Sequence, residues 1–318
     1  MEKDFKILFV LVGLILIISG SLIFLSAKDY TGLLNLSNDS EISNSSQKIL
    51  VVASVLPQKE FVDAVGGDKV QTVIMVPPGA DPHTYEPKAS QLQQMANAVM
   101  YVQVGSGIEF ELSWMDKIQS FNQNMYIING SKGINLIKSS EDDHSTEDNS
   151  NHDEGHGHSE SDPHVWVSPL NAMIMVENIY QGLVKIDPKN KEYYLINKEN
   201  YIKKLSQLDK NVTSELSDKK GTKILVYHPS WGYFCQEYGL TQIAIEKEGK
   251  DPTPKGMAIL INQAKKDNIK VIFISPQYNT RSAEVIASEI GGKVVSIDEL
   301  APDYLNNMNH VVQSFKNL

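Results

Sequence analysis

Short apolar runs alternate with amphipathic stretches over most of this chain, and the alternation starts at Ile49. ILVVASV (49–55) predicts a buried strand and PQKEFVDAVGG a helix closed by glycines. VQTVIMV (70–76) predicts a second strand, followed by PPGADPHTYEP, a loop punctuated by proline and glycine. Residues 89–97 predict a helix, 98–104 a strand, 109–118 a helix and 125–130 a strand. Strands alternating with helices predict βα units and a parallel sheet.

After a stretch with no hydrophobic period, the chain turns helical. NAMIMVENIYQGLVKI is one amphipathic helix, DPK (187–189) interrupts it, and 190–217 continues with Tyr194, Tyr201, Leu205 and Leu208 at helical spacing. A helix of about 28 residues would measure roughly 42 Å, enough to reach from one domain to another. From Lys223 the alternation resumes: strands at 223–228, 240–245, 269–275 and 293–298, with helices between them and a last one at 303–315. The fold class is therefore α/β, with two lobes, each a parallel sheet flanked by helices, joined by one long helix. The boundaries are 48–186 for the N-terminal lobe, 187–218 for the interlobe helix and 219–318 for the C-terminal lobe. No sequence repeat relates the two lobes.

The N-terminus follows a different pattern. Ile7 to Ala27 is uninterrupted by charge, long enough to cross a bilayer and longer than the apolar part of a secretory signal. Residues 1–28 are expected to form an uncleaved signal anchor, with Lys3 and Lys6 inside and the body outside the cell membrane. Cleavage after the weak Leu25-Ser26-Ala27 site would instead leave a secreted or periplasmic protein. Residues 29–47, rich in Ser and Asn, form a flexible tether.

Charge changes the picture in one place. The net charge is −10. Glu141, Asp142, Asp143, Glu147, Asp148, Asp153, Glu154 and Glu160 fall together without a single Lys or Arg among them. The remainder is nearly balanced and lacks the basic clusters that phosphate contacts need, which excludes a nucleic-acid partner. The one cysteine, Cys235, excludes thiolate zinc sites and reads as a small core residue.

Candidate chemistry rests on histidine. His144, His152, His156 and His158 lie within the acidic stretch, which predicts a disordered loop over 139–161. His83, His164 and His228 lie beside prolines, in DPHTYEP, DPHVWVSP and YHPSW. Ligands of parallel sheets bind outside the carboxyl ends of the strands. The predicted strand 223–228 ends at His228, 293–298 ends at Asp298, and 70–76 runs into the loop holding His83. Three imidazoles and one carboxylate suit tetrahedral Zn²⁺. A histidine taken singly is more often a surface or hydrogen-bonded core residue. Two D-P-H repeats in separate loops favour a shared site, although spacing alone does not decide it. No protease-type H-E-x-x-H is present.

Taken in order, ILVVASVLPQKEFVDAVGGDKV, PPGADPHTYEPKASQLQQMANA, DPHVWVSPLNA, ILVYHPSWGYFCQEYGL and ISPQYNTRSAEVIASEIGGKVVSIDEL make the chain resemble the zinc-type substrate-binding proteins of metal ABC importers, over nearly all of 48–318. The resemblance implies metal ligands at His83, His164, His228 and Asp298, a stiff interlobe helix with limited lobe motion, and no enzymatic activity. It implies a receptor that captures Zn²⁺ outside the cytoplasm and delivers it to an ABC permease and its ATPase subunit. A monomer is expected. Zinc-type members often carry a His- and acid-rich loop before the second ligand, so His144, His152, His156 and His158 become accessory metal donors. The family's lipid-bearing cysteine is missing, and the anchor would replace it. Manganese members tend to have a carboxylate where this chain has His228, so Mn²⁺ is the alternative ion. A zinc hydrolase and a cell-adhesion protein are the readings from other classes. Because free histidine protonates near pH 6.5, zinc affinity is expected to fall below that pH.

Overall fold

A computed structural model describes residues 48–139, 161–247 and 249–318. The expected anchor, the tether and the four accessory histidines lie outside the described residues. Among the described residues no helix is long and apolar enough to cross a membrane.

The first lobe contains β1 (Ile49–Ala53), α1 (Leu56–Gly66), β2 (Val70–Ile74), α2 (Ala89–Gln94), β3 (Met100–Gln103), α3 (Glu109–Phe121), β4 (Tyr126–Asn129) and α4 (Pro169–Ile186). The strands are all parallel, in the order β2-β1-β3-β4. After α5 (Lys191–Glu215) come β5 (Lys223–Val226), α6 (Gly232–Tyr238), β6 (Thr241–Ala244), α7 (Pro254–Lys266), β7 (Val271–Ile274), α8 (Arg281–Ile290), β8 (Lys293–Ser296) and α9 (Tyr304–Lys316). The second sheet is again all parallel, in the order β6-β5-β7-β8. The lobes therefore share one topology without a shared sequence.

The break at Asp187 is local chemistry. Pro188 has no N–H to continue the ladder, and Asp187 accepts hydrogen bonds from Asn190 and from the Tyr194 hydroxyl at 2.7 Å. α5 then runs for 25 residues, about 37 Å at the helical rise. It packs on α1 and α4 of the first lobe and on α9 of the second.

Strand alternation divides the interior into three cores. Val51, Ala53, Met100 and Val102 face a central cluster that also holds Ile224, Val226, Val271 and Phe273 of the second sheet. Val52 and Tyr101 point to an outer core of the first lobe, and Leu225, Ile272 and Ile274 to an outer core of the second. Trp166, Tyr194, Leu205, Trp231, Tyr304 and Phe315 fill the central cluster. The inner faces of both lobes thus belong to one continuous apolar body, not to two bodies strung on a helix.

Every strand ends one or two residues earlier than expected, and at two of them this matters for the candidate site. β5 stops at Val226 and β8 at Ser296, two residues before His228 and Asp298. Both residues lie in the loops beyond the strands. A side chain in a regular strand stands perpendicular to the sheet, and release from the ladder frees His228 to line the cleft.

Candidate metal centre between the lobes

Every residue of the centre follows the carboxyl end of a parallel strand. His83 follows β2, Glu109 follows β3, His164 follows β4, His228 follows β5 and Glu246 follows β6. The two D-P-H triplets fold alike. The Asp81 carboxylate accepts the backbone N–H of His83 at 2.9 Å, and the Asp162 carboxylate accepts that of His164 at 2.9 Å. This is a local turn, in which Asp bonds the chain two residues on and the intervening proline offers no competing donor.

The three imidazoles meet edge to edge. His164 Nε2 is 3.3 Å from His83 Nε2 and 3.2 Å from His228 Nε2, and all three ligand atoms lie within 4.8 Å of one another. A tetrahedral zinc ion with nitrogens at about 2.0–2.1 Å separates its donors by about 3.3 Å. The two short spacings fit that ion. The site lines a cavity of ≈ 400 Å³ that also takes in Tyr278, Lys250, Ser139 and Ser161.

Each ring has its own carboxylate on the far nitrogen. His83 Nδ1 is 2.5 Å from Glu109 Oε2, His164 Nδ1 is 2.9 Å from Asp162 Oδ1, and His228 Nδ1 bonds Glu246 Oε1. An ionised carboxylate only accepts hydrogen bonds, so each Nδ1 carries the proton and donates it. In the neutral form of each ring, Nε2 is then the atom that bears the lone pair, and the three Nε2 atoms converge. Carboxylate partners of this kind fix the tautomer and raise the basicity of a metal-binding imidazole. The pairs differ in exposure. The His164 and Asp162 side chains are each 4% exposed, whereas His83 and Glu109 reach 19% and 31%. Tyr278 stacks on the His228 ring at 4.9 Å and Trp166 meets His164 edge-on at 5.4 Å, so ring planes as well as atoms are held.

Burial and neighbouring charge set how these groups titrate. Burial pulls the His83 pKa down, but the hydrogen bond and charge of Glu109, with Asp81 and Glu246 beyond, outweigh it and raise the value to about 9. Burial would raise the Glu109 carboxyl, and its bond to His83 brings it below the ordinary range. His228 is pushed well below the ordinary histidine value, by burial first and then by the charge of His83 and His164.

The structure brings together His83, His164 and His228 of the four expected ligands. Asp298 is not in that group. Its Oδ1 accepts from Gln277 Nε2 at 3.0 Å and from the Leu300 N–H at 2.9 Å. Glu109, Asp162 and Glu246 are absent from the sequence reading as site residues. A signal for them existed: Asp162 opens the second D-P-H, and Glu109 and Glu246 are the first acids beyond β3 and β6. The accessory histidines lie outside the described residues, but both ends of their segment are described. Lys138 and Ser161 form an antiparallel bridge, and the Asp162 N–H donates to the Ile137 carbonyl at 3.0 Å.

Two parallel sheets over a common core, with imidazoles collected at the strand ends between them, define a two-lobed ion-binding protein. The chain belongs to the ZnuA family, described as zinc-uptake complex component A, periplasmic, whose match covers residues 51–318. It is 33% identical over 272 residues to the high-affinity zinc uptake system protein ZnuA of Bacillus subtilis, covering 84% of this chain and 83% of that protein. Zinc-binding protein AdcA of Streptococcus pyogenes is 30% identical over 264 residues, covering 80% of this chain and 50% of AdcA. This chain therefore spans half the length of that relative. A crystal structure of ZnuA matches with a TM-score of 0.77 and 34% identity, covering 85% of this chain and 99% of the other. The family consists of solute-binding components of uptake systems, not of enzymes.

Proposed function

We propose that this protein is an extracytoplasmic zinc receptor, which takes Zn²⁺ into the cleft between its lobes and hands it to an ABC permease driven by its ATPase subunit. The observation that carries this reading is the convergence of three Nε2 atoms, two of the spacings at the tetrahedral value, with each ring backed by a carboxylate. His83, His164 and His228 are the proposed ligands. Three neutral nitrogens favour zinc over manganese, which suits carboxylate, carbonyl and water ligands. Asp298 is the proposed fourth donor. It follows β8 in the same ring of loops and reaches the ion by turning its carboxylate away from Gln277.

The remaining proposals concern supply and attachment. Residues 139–161 carry His144, His152, His156 and His158 as weak sites in a strongly negative field, which raises the local zinc concentration. Support comes from the loop's ends, because Ser139 and Ser161 line the cavity of the main site. Residues 1–28 anchor the receptor to the membrane and 29–47 tether it there. The lobes, 48–186 and 219–318, act as a monomer about the helix of 187–218.

The test is calorimetry of the full chain with zinc and with manganese, comparing wild type, His228→Ala and a deletion of 140–160. One tight zinc site, lost in His228→Ala and kept in the deletion, is the expected result. Tight binding that survives His228→Ala but not the deletion would move the receptor site to the loop. A preference for manganese would reassign the cargo.

A further inference from the structure

α1 carries a half-buried carboxylate, Glu60, that lies outside the metal centre. Its Oε1 accepts the hydroxyl of Tyr201, on α5, at 2.7 Å. Its Oε2 accepts the backbone N–H of Tyr304, the first residue of α9. One side chain of the first lobe therefore bonds both the spanning helix and the second lobe. The first N–H groups of a helix have no partner inside it. In α9 the helix's own cap, Asp303, takes the N–H of Asn306 at 3.3 Å, and Glu60 takes that of Tyr304 from across the seam. Phe61 packs beside it, edge-on to Tyr304 at 4.9 Å and tilted against Tyr201 at 6.1 Å.

The network continues to the ligands. Tyr304 is 2% exposed, and its hydroxyl donates to the carbonyl of Trp166 at 2.9 Å. The Trp166 indole N–H donates to the Glu299 carbonyl at 2.7 Å. Trp166 lies two residues after His164 and packs its ring against it. Asn307 of α9 donates to the carbonyl of Asp298 at 2.5 Å. An unbroken set of bonds thus runs from Glu60 through the first turn of α9 to the segment bearing His164, with a branch to the segment bearing Asp298.

We infer that Glu60 is a positioning residue for the ion. It fixes α9 against α1, and through Tyr304 and Trp166 it sets the separation at which His164 of one lobe meets His228 of the other. It touches no ligand atom. The inference rests on reading the three histidines as the ion site. Donor groups must be held within about 0.5 Å of their working geometry for a metal site to reach full affinity. Without Glu60, the Tyr201 hydroxyl and the Tyr304 N–H lose their acceptor in a buried seam. The seam then relaxes, and the ion has to order donors that the fold had already ordered.

The experiment uses the full chain and four variants: Glu60→Ala, Tyr304→Phe, Val65→Ala and His228→Ala. Val65 is a fully buried residue of the same helix, so Val65→Ala serves as a control for plain loss of stability. Zinc dissociation constants are read by competition with a chromogenic chelator, well below the melting temperature of each variant. Hydrogen exchange at the Tyr304 amide is followed in parallel. Glu60→Ala is expected to weaken zinc roughly tenfold and to unprotect the Tyr304 amide. Tyr304→Phe, which deletes only the bond to Trp166, shifts zinc affinity the same way and keeps the test decisive if Glu60→Ala does not fold. Val65→Ala lowers the melting temperature and leaves zinc affinity unchanged. Wild-type affinity in both Glu60→Ala and Tyr304→Phe, or equal weakening in Val65→Ala, would reduce Glu60 to a stabilising residue. If His228→Ala keeps tight zinc, the site reading itself fails. If it loses zinc while the seam variants do not, only the role of Glu60 falls.

Discussion

The Glu109 carboxylate beside His83 outweighs burial and raises its pKa to about 9, which changes the pH behaviour expected from free histidine. The pKa is raised above the ordinary 6.5, so protonated His83 stabilises the ion-free fold in full below that pH. The contribution is lost as pH rises through about 9. With His83 as the proposed ligand, zinc binds only the deprotonated ring, so the linkage to the ion has the opposite sense. Capture expels a proton, and affinity climbs with pH until about 9 instead of levelling off near 6.5. Titrations at pH 7.5 in buffers of different ionisation enthalpy should show about one proton released per zinc ion. Release near zero would contradict the raised pKa of His83. The three histidines were legible as candidates from their prolines and strand ends. The raised pKa of His83 was not, because Glu109 lies 26 residues away and only the fold puts it 2.5 Å from the ring.

At the scale of elements, the centre depends on how closely α6 approaches the second D-P-H turn. A Cβ placed on Gly232, the first residue of α6, would stand 2.4 Å from Asp162 Oδ2. That carboxylate orients His164, and the carbonyl of Asp162 also takes the Tyr233 hydroxyl at 2.9 Å. Gly232→Ala is therefore expected to displace Asp162 and weaken zinc about tenfold or more, as loss of a ligand's outer partner does, while the fold persists. Gly256→Ala on α7, where a Cβ meets nothing closer than 3.4 Å, should leave zinc affinity at the wild-type value. Equal affinities in the two variants would mean that Asp162 yields without consequence for His164. The sequence showed a glycine opening a short helix. It held no sign of the carboxylate beside it, since the two lie 70 residues apart in the chain.

At the scale of the whole molecule, the two lobes among the described residues pack as one body because the inner faces of both sheets share a core. Phe315, near the end of the chain, is fully buried and lies within 6.0 Å, ring to ring, of Trp231, Phe234 and Phe273. Truncating a buried phenylalanine costs about 3–5 kcal/mol. Phe315→Ala should lower the unfolding free energy by that order in denaturant titrations of the ion-free protein. Both lobes should still be lost in a single transition. Two separated transitions, with the first lobe unaffected, would show that the lobes are independent after all. Two lobes linked by a helix were legible from hydrophobic period alone. Their common core was not, because period shows which face of a strand is apolar but not which distant face covers it.

The sequence by itself determined the elements and the local devices. Alternating apolar runs set the eight strands, Pro188 and Asp187 set the break before the spanning helix, and the D-P-H triplets set their own turns from residues two apart. These features depend on neighbours along the chain, so they can be read along it. Tertiary structure alone decided the pairing of each imidazole with its carboxylate, the raised pKa of His83, the closeness of Gly232 to Asp162 and the seam held by Glu60. It also decided that Asp298 bonds Gln277. Each of these joins residues brought together by the packing of two sheets on one core. A hydrogen bond or a pKa depends on distances of a few ångströms through space, which separation along the chain does not encode.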